Sequence, residues 1–245
     1  VDYRHLNLFP FKHIKGLSTE HIKRLIDSDI PVIGEKGCLG VDDPSCSAPC
    51  KYFLDFGTHL GGGLEKIKRR EKLNEDVEIH SFEANPHAFQ QIKFQDDINY
   101  HNIAISEIDG FVNFNCEIDD DGKPYGGGSS LIDLAYWNPE RSYGWKANER
   151  YSRYKSCSVF SLSIIPLLDL LLPKKTEKSI LAKFDVEGAE FGIFKQLRDT
   201  DNFKWFSKIY VEFHEHIIKG LDSNTGAIDW LLYFEQIGLD TVLWD

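Results

Sequence analysis

Residues 51–63 read KYFLDFGTHLGGG: a short apolar run, an acid, and then glycines at Gly57, Gly61, Gly62 and Gly63. Such a run closing on glycine reads as a buried strand over 51–56 that enters a tight turn, with a helix predicted from about 63 to 73. Glycines let the backbone turn sharply and come close to a ligand, and the helix behind them offers N–H groups with no partner in the helix. Two details narrow the ligand. The dinucleotide fingerprint Gly-x-Gly-x-x-Gly is absent, because Gly57 is followed by Thr58 and His59, and no Gly-Lys-Ser/Thr completes a phosphate-binding loop. Asp55 stands just before the first glycine instead, where a carboxylate suits a cationic group, such as the amino group of a methionine moiety, better than a pyrophosphate.

Outward from this stretch the pattern alternates. Strands are predicted over 78–82, 98–105, 179–184, 208–213 and 241–244, with an extra strand over 111–116 after the Asp109-Gly110 turn. Helices are predicted over 87–94, 189–197 and 227–236. Repeated strand–helix units imply an α/β fold with a mostly parallel central sheet and helices on both faces. Residues 1–50 read as a lead-in layer. Ser18 or Thr19 can cap a helix through about Ser28, and Pro31, Gly34, Gly37, Gly40 and Pro44 then mark an irregular stretch. The main domain is expected over 51–245, with an insertion over about 117–160.

In open parallel sheets ligands bind beyond the carboxyl ends of the strands, so residues there are the candidates. The second strand ends in Phe82-Glu83-Ala84-Asn85-Pro86, placing Glu83 26 positions after Gly57. Glu83 has two readings: a carboxylate accepting both hydroxyls of a ribose, or an exposed acid capping the next helix. With Asp55 upstream, the ribose reading is favoured. The fourth strand leads to Asp185, Glu187 and Glu190, and the fifth to Glu212, His214, Glu215 and His216. A neutral hydroxyl is a poor nucleophile, so activating one as an acceptor needs a base or a polarising cation. Asp185 and His214 are the catalytic candidates, a histidine near neutral pKa being suited to take the proton. Alternatively Asp185 with Glu212 holds a hard divalent cation such as Mg²⁺, which acidifies the acceptor hydroxyl. Glu190 opens a helix, where the dipole alone favours a carboxylate, and is read as structural; His216 is read as exposed.

Composition excludes several classes. With 28 basic against 39 acidic residues the net charge is −11, which repels phosphate backbones and argues against nucleic-acid partners. The longest apolar stretch, Ser163 to Leu172, is interrupted by Pro166 and Asp169 and falls short of the roughly 20 residues that span a bilayer. No basic-then-apolar leader opens the chain, and the expected compartment is the cytoplasm. The absence of Met, initiator included, suggests a chain excised from a larger multidomain parent. Cys38, Cys46 and Cys50 cluster, but three thiols without close pairing do not make a closed zinc site, and unligated thiols or an adventitious disulfide are expected.

Taken in order, LDFGTHLGGG, SFEANP, NIAIS, GGGSSL, KFDVEGAE and VEFH, spread over about residues 51–214, resemble the FkbM family of S-adenosylmethionine-dependent methyltransferases. The resemblance implies a Rossmann-like class I methyltransferase fold and transfer of a methyl group to a hydroxyl of a sugar, polyketide or related natural product. It implies Asp55, Gly57, Thr58 and Gly61 around the methionine part of S-adenosylmethionine, Glu83 on its ribose, and Asn102, Ile103 and Ala104 near its adenine. Two features depart from the family pattern: His59 stands where relatives often carry a small or amide residue, and the chain stops soon after one strand beyond the fifth, so the usual terminal β-hairpin is not assured.

The insertion completes the expectation. Gly126-Gly127-Gly128-Ser129-Ser130 leads into Tyr136, Trp137, Tyr143, Trp145, Tyr151 and Tyr154, interleaved with Arg141, Arg150 and Arg153. A mobile glycine segment feeding aromatics and arginines suits a lid over a small-molecule or glycan acceptor, since rings stack on sugar C–H faces and guanidinium groups bond hydroxyls. The reading is an O-methyltransferase acting on a sugar or glycan hydroxyl, a carbohydrate-modifying enzyme. The alternatives are an O-methyltransferase of another natural product, a nicotinamide oxidoreductase on the same sheet, disfavoured by the missing fingerprint, and a non-catalytic cofactor-binding module of a larger enzyme.

Overall fold

The computed structural model describes residues 32–33, 50–119, 121, 128–132, 154–215, 218 and 226–244. The expected helix over 18–28, Cys38 and Cys46, Gly126 and Gly127, the aromatic and arginine residues from Tyr136 to Arg153, and His216 lie outside them.

The strands are β1 (Val32–Ile33), β2 (Tyr52–Phe56), β3 (Glu78–Phe82), β4 (Ile98–His101), β5 (Ala104–Ser106), β6 (Gly110–Glu117), β7 (Tyr154–Ser163), β8 (Ile180–Phe184), β9 (Phe206–Val211) and β10 (Asp240–Trp244). The helices are α1 (Gly62–Arg70), α2 (Pro86–Phe89), α3 (Ile164–Leu171), α4 (Glu190–Asp199) and α5 (Ala227–Gln236). Seven strands form one sheet in the order β1-β10-β9-β8-β2-β3-β4, every pairing parallel. This is the α/β, Rossmann-like architecture expected of the sequence. The central pair runs in register from Tyr52 beside Ile180 to Phe56 beside Phe184, and both strands are buried at all five positions. Burial on both faces explains why they read as mostly apolar runs rather than alternations, each broken by a single charge, Asp55 and Lys183.

Alternate residues of these strands feed two cores. Leu54, Phe56, Phe82 and Phe184 pack with Leu167 and Leu168 of α3, Phe191 and Phe194 of α4, and Trp230 and Phe234 of α5. On the other face Phe53, Ile79, Leu181 and Tyr210 meet Leu64 and Ile67 of α1. From β2 the chain steps to β3 and β4 on one side, and later to β8, β9 and β10 on the other. The order therefore reverses between β2 and β8, and a crevice opens there at the carboxyl ends.

Several expectations need correction. The strand predicted over 98–105 breaks at Asn102–Ile103: β4 stays in the main sheet, whereas β5 joins a second sheet in the order β5-β7-β6. The break has a local cause, because the Asn102 side chain donates to Glu83 O (2.7 Å) and so ties the chain where it leaves the sheet. The helix predicted over 87–94 stops after Phe89. Asn85 caps it and Pro86 starts it, but Gln91 and Ile92 already make tight three-residue turns back to Ala88 and Phe89. Within the expected insertion, β7 pairs antiparallel with β6 from Tyr154 beside Glu117 to Ser161 beside Gly110. The apolar stretch after it is the eight-residue helix α3, which tolerates Pro166 because the first turn of a helix has N–H groups without helical partners. Beyond β10 the next strand is β1, drawn from the stretch expected to be irregular and paired parallel through Val32 and Ile33. Among the described residues no helix is long and apolar enough to cross a membrane.

Candidate active site

A cavity of about 420 Å³ lies at the reversal point, between the ends of β2, β3, β8 and β9 and the edge of the small sheet. Its floor is the turn after β2. Gly57, His59 and Gly61 all adopt left-handed backbone, with φ of 82°, 52° and 91°. At Gly57 the need for glycine is doubled, since a Cβ would fall 1.7 Å from the Asp185 carbonyl oxygen. Asp185 N–H donates to Phe56 O (3.1 Å), and Gly57 and Thr58 N–H both donate to Phe82 O (3.0 Å each), so three strand ends meet at this turn.

Beneath the floor is a buried row of polar groups. Asp55 lies in register with Lys183 on one side and Ser81 on the other. Its carboxylate is fully buried, accepts Thr58 Oγ1 (2.8 Å) through Oδ2, and has the Lys183 ammonium 3.4 Å from Oδ1. Lys183 also donates to Gly57 O (2.8 Å) and lies 3.0 Å from Asp185 Oδ2. Its stem runs under Gly63, where a Cβ would come within 3.0 Å of it. Burial works against the ammonium, but Asp185 and Asp55 outweigh it and hold Lys183 charged.

The Glu83 end is built from backbone. Glu83 Oε2 accepts His59 N–H (2.6 Å) and Oε1 accepts Asn85 N–H (2.7 Å). Each oxygen has two lone pairs, so each can still accept another hydrogen bond. Burial pushes the Glu83 carboxyl up to about 7, against those two N–H bonds. Ile103, Ala104, Phe114 and Leu131 line the cavity as an apolar wall. Beside that wall, the described end of the glycine segment, Gly128 to Ser130, is tied in by hydrogen bonds. Ser129 Oγ accepts Asn85 Nδ2 and Glu117 N–H (2.9 Å each), Gly128 N–H donates to Glu117 Oε2 (3.1 Å), and Ser130 Oγ donates to Glu187 O (2.6 Å).

At the opposite end, side chains crowd one imidazole. His214 Nε2 lies 3.5 Å from Glu212, 3.6 Å from Glu187 and 3.9 Å from Asp185, while Nδ1 lies 3.2 Å from Glu190 Oε1. Glu190 is wholly buried and also accepts the N–H groups of His214 (2.7 Å) and Gly188 (2.9 Å), which fixes the ring. Burial pushes Glu187 up to about 8. Burial also disfavours charge on His214, but Glu187 and Glu190 outweigh it and raise the imidazole well above its ordinary value. These carboxylates favour the protonated imidazole, whereas the sequence reading expected a histidine near its ordinary pKa. Glu187 sits at φ 51°, the kind of strained backbone found at functional sites. Asp185, Glu212 and His214 each offer a ligand atom within 4.8 Å of the others, a spacing able to hold a metal ion.

Of the anticipated residues, the cavity brings together Gly57, Glu83, Ile103, Ala104, Asp185, Glu212 and His214. Asp55, Thr58, Gly61 and Asn102 do not line it. Asp55 and Thr58 lie one layer below, Gly61 heads α1, and Asn102 secures the β3 exit. Sequence reading passed over Lys183 and Glu117, took Ser129 only as part of the glycine segment, and gave His59 no role. Lys183 had a legible signal: a charge inside the apolar run ILAKF must find partners.

A family model described as "Methyltransferase FkbM domain" matches residues 55–237. No curated protein and no solved structure matches the chain. The chain belongs to the FkbM methyltransferase family, as the motif order suggested.

Proposed function

We propose that this FkbM-family methyltransferase transfers the methyl group of S-adenosylmethionine to a hydroxyl oxygen of a sugar or glycan. The family implies the cofactor, and the chain's residues suit it. The observation that carries the reading is Glu83: a buried acid at the end of β3, with each oxygen steadied by one backbone N–H and still able to accept one ribose hydroxyl. The apolar wall of Ile103, Ala104, Phe114 and Leu131 suits an adenine. The amino-acid end then lies over the Gly57–Gly61 turn, with Asp55, Thr58 and Lys183 supporting that turn from below. Bound S-adenosylmethionine supplies an electrophilic sulfonium methyl group.

Asp185 and His214 act on the acceptor. Asp185 Oδ2 faces Lys183, leaving Oδ1 toward His214 and the cavity to take the hydroxyl proton. His214, pinned by Glu190, donates a hydrogen bond that orients the acceptor. In the alternative scheme a divalent cation held by Asp185 and Glu212, and by His214 once Nε2 has lost its proton, would lower the pKa of the acceptor hydroxyl in place of these roles. The aromatic and arginine residues over 136–154 favour a carbohydrate acceptor.

Titration calorimetry with S-adenosylhomocysteine on the wild type and on Glu83→Ala tests the reading. Micromolar binding that weakens by about 1–3 kcal/mol in the variant is expected. Absence of binding to the wild type, or equal binding to both, would overturn it.

A further inference from the structure

His59 is the departure from the family pattern noted in the sequence, and the structure gives it an unusual setting. Its backbone is left-handed, a conformation that side chains other than Gly, Asn and Asp seldom accept. Its N–H is engaged by Glu83 Oε2. Its ring lines the cavity, and Nε2 is buried with no hydrogen-bond partner among the described residues. Buried polar atoms in native proteins nearly always have partners, so one without is a sign of a bound group.

The surroundings say which group. Glu83, Glu117, Asp185, Glu187 and Glu212 make the cavity acidic, so an anion on the ligand is repelled almost everywhere in it. Of the other nitrogen-bearing side chains described in the lining, Asn85 donates to Ser129 and His214 is held among its carboxylates. His59 Nε2 is left without a partner among the described residues, and the charges of Asp185 and Lys183 both act on its ring. With the ribose on Glu83 and the base against the apolar wall, the remaining end of the cofactor meets the turn that carries His59.

We infer that His59 Nε2–H docks the α-carboxylate on the amino-acid end of the cofactor. This rests on the cofactor reading above and adds a residue to it. The site thus selects nucleoside thioethers that carry a carboxylate over those that lack one.

The test compares two ligands on the full chain by calorimetry. S-adenosylhomocysteine carries the carboxylate; 5′-methylthioadenosine has the same nucleoside thioether without the amino-acid end. His59→Gly removes the ring while keeping the left-handed turn free of strain. In that variant S-adenosylhomocysteine is expected to bind about tenfold more weakly, with 5′-methylthioadenosine changed less than about twofold. His59→Asn, which tolerates the same backbone and restores a donor, should recover part of the loss. Unchanged S-adenosylhomocysteine binding in His59→Gly would overturn the proposal, and so would equal weakening of both ligands, which would mean that His59 only shapes the turn. A wild type that binds neither ligand would overturn the cofactor reading itself, a different result from either.

Discussion

The two ends of the cavity use the same raw material in opposite ways. At one end the Glu83 carboxylate is held by two backbone N–H groups and faces apolar side chains. At the other, Asp185, Glu187, Glu190 and Glu212 crowd around the single imidazole of His214. Backbone donors are set by the fold and do not titrate, so the first end is rigid and suited to a neutral diol. Side-chain acids near one another repel unless a proton or a cation joins them, so the second end stores charge and can exchange it. A buried acid fixed by backbone favours binding; acids fixed by one another favour proton transfer.

Separate perturbations of each end should sharpen this contrast. Asp185→Asn is expected to have the largest effect, cutting methyl transfer about 10²- to 10⁴-fold while S-adenosylhomocysteine affinity stays within a few-fold. Single-turnover kinetics beside calorimetry would show it, and equal loss of both would erase the distinction between the ends. Lys183→Met attacks the element the two ends share. It leaves Asp55 and Asp185 without their cation, and about 3–5 kcal/mol of stability should be lost, read from the urea midpoint at constant slope. A shift within experimental error would mean that the buried row is not a support.

The smallest effect concerns pH. Burial holds the Glu83 carboxyl up at about 7, and ribose hydroxyls donate to its ionised form. Ligand binding therefore releases a proton below that value. Affinity for S-adenosylhomocysteine should rise about tenfold per pH unit up to about 7 and level off above it, and Glu83→Gln should flatten the profile. The same shift runs the other way for folding. The folded state holds this proton more tightly than the unfolded chain, so the stability the protonated group contributes is lost as pH rises from about 4.5 to about 7. Affinity that falls with rising pH in this window would contradict the assignment of Glu83.

Much of the site was legible before folding. A parallel sheet places the carboxyl ends of its strands together, so titratable residues at or just after the ends of predicted strands are candidates by position alone, and Glu83, Asp185, Glu212 and His214 were singled out that way. Asp55 shows the limit of that logic: its place before the turn was right, but the direction of its side chain depends on which face of the sheet α1 covers. Ala104 and Ile105 read as the end of one strand, because apolar composition does not say which of two sheets a residue joins.

What the sequence determined by itself was local and periodic. Largely apolar runs over 52–56 and 180–184, each broken by one charge, glycines where the chain must turn left-handed, and alternation of strand with helix are enough to specify a doubly wound sheet and the edge where its cavity opens. What only the tertiary structure decided was non-local. Lys183 meets Gly57 across 126 positions of sequence, β7 becomes a strand through its pairing with β6, and Glu190 becomes the support of His214 only once α4 packs behind β9. The physical reason is that backbone conformation is governed by neighbours along the chain, whereas the state of a buried charge is governed by whatever charge the fold brings within a few ångströms of it.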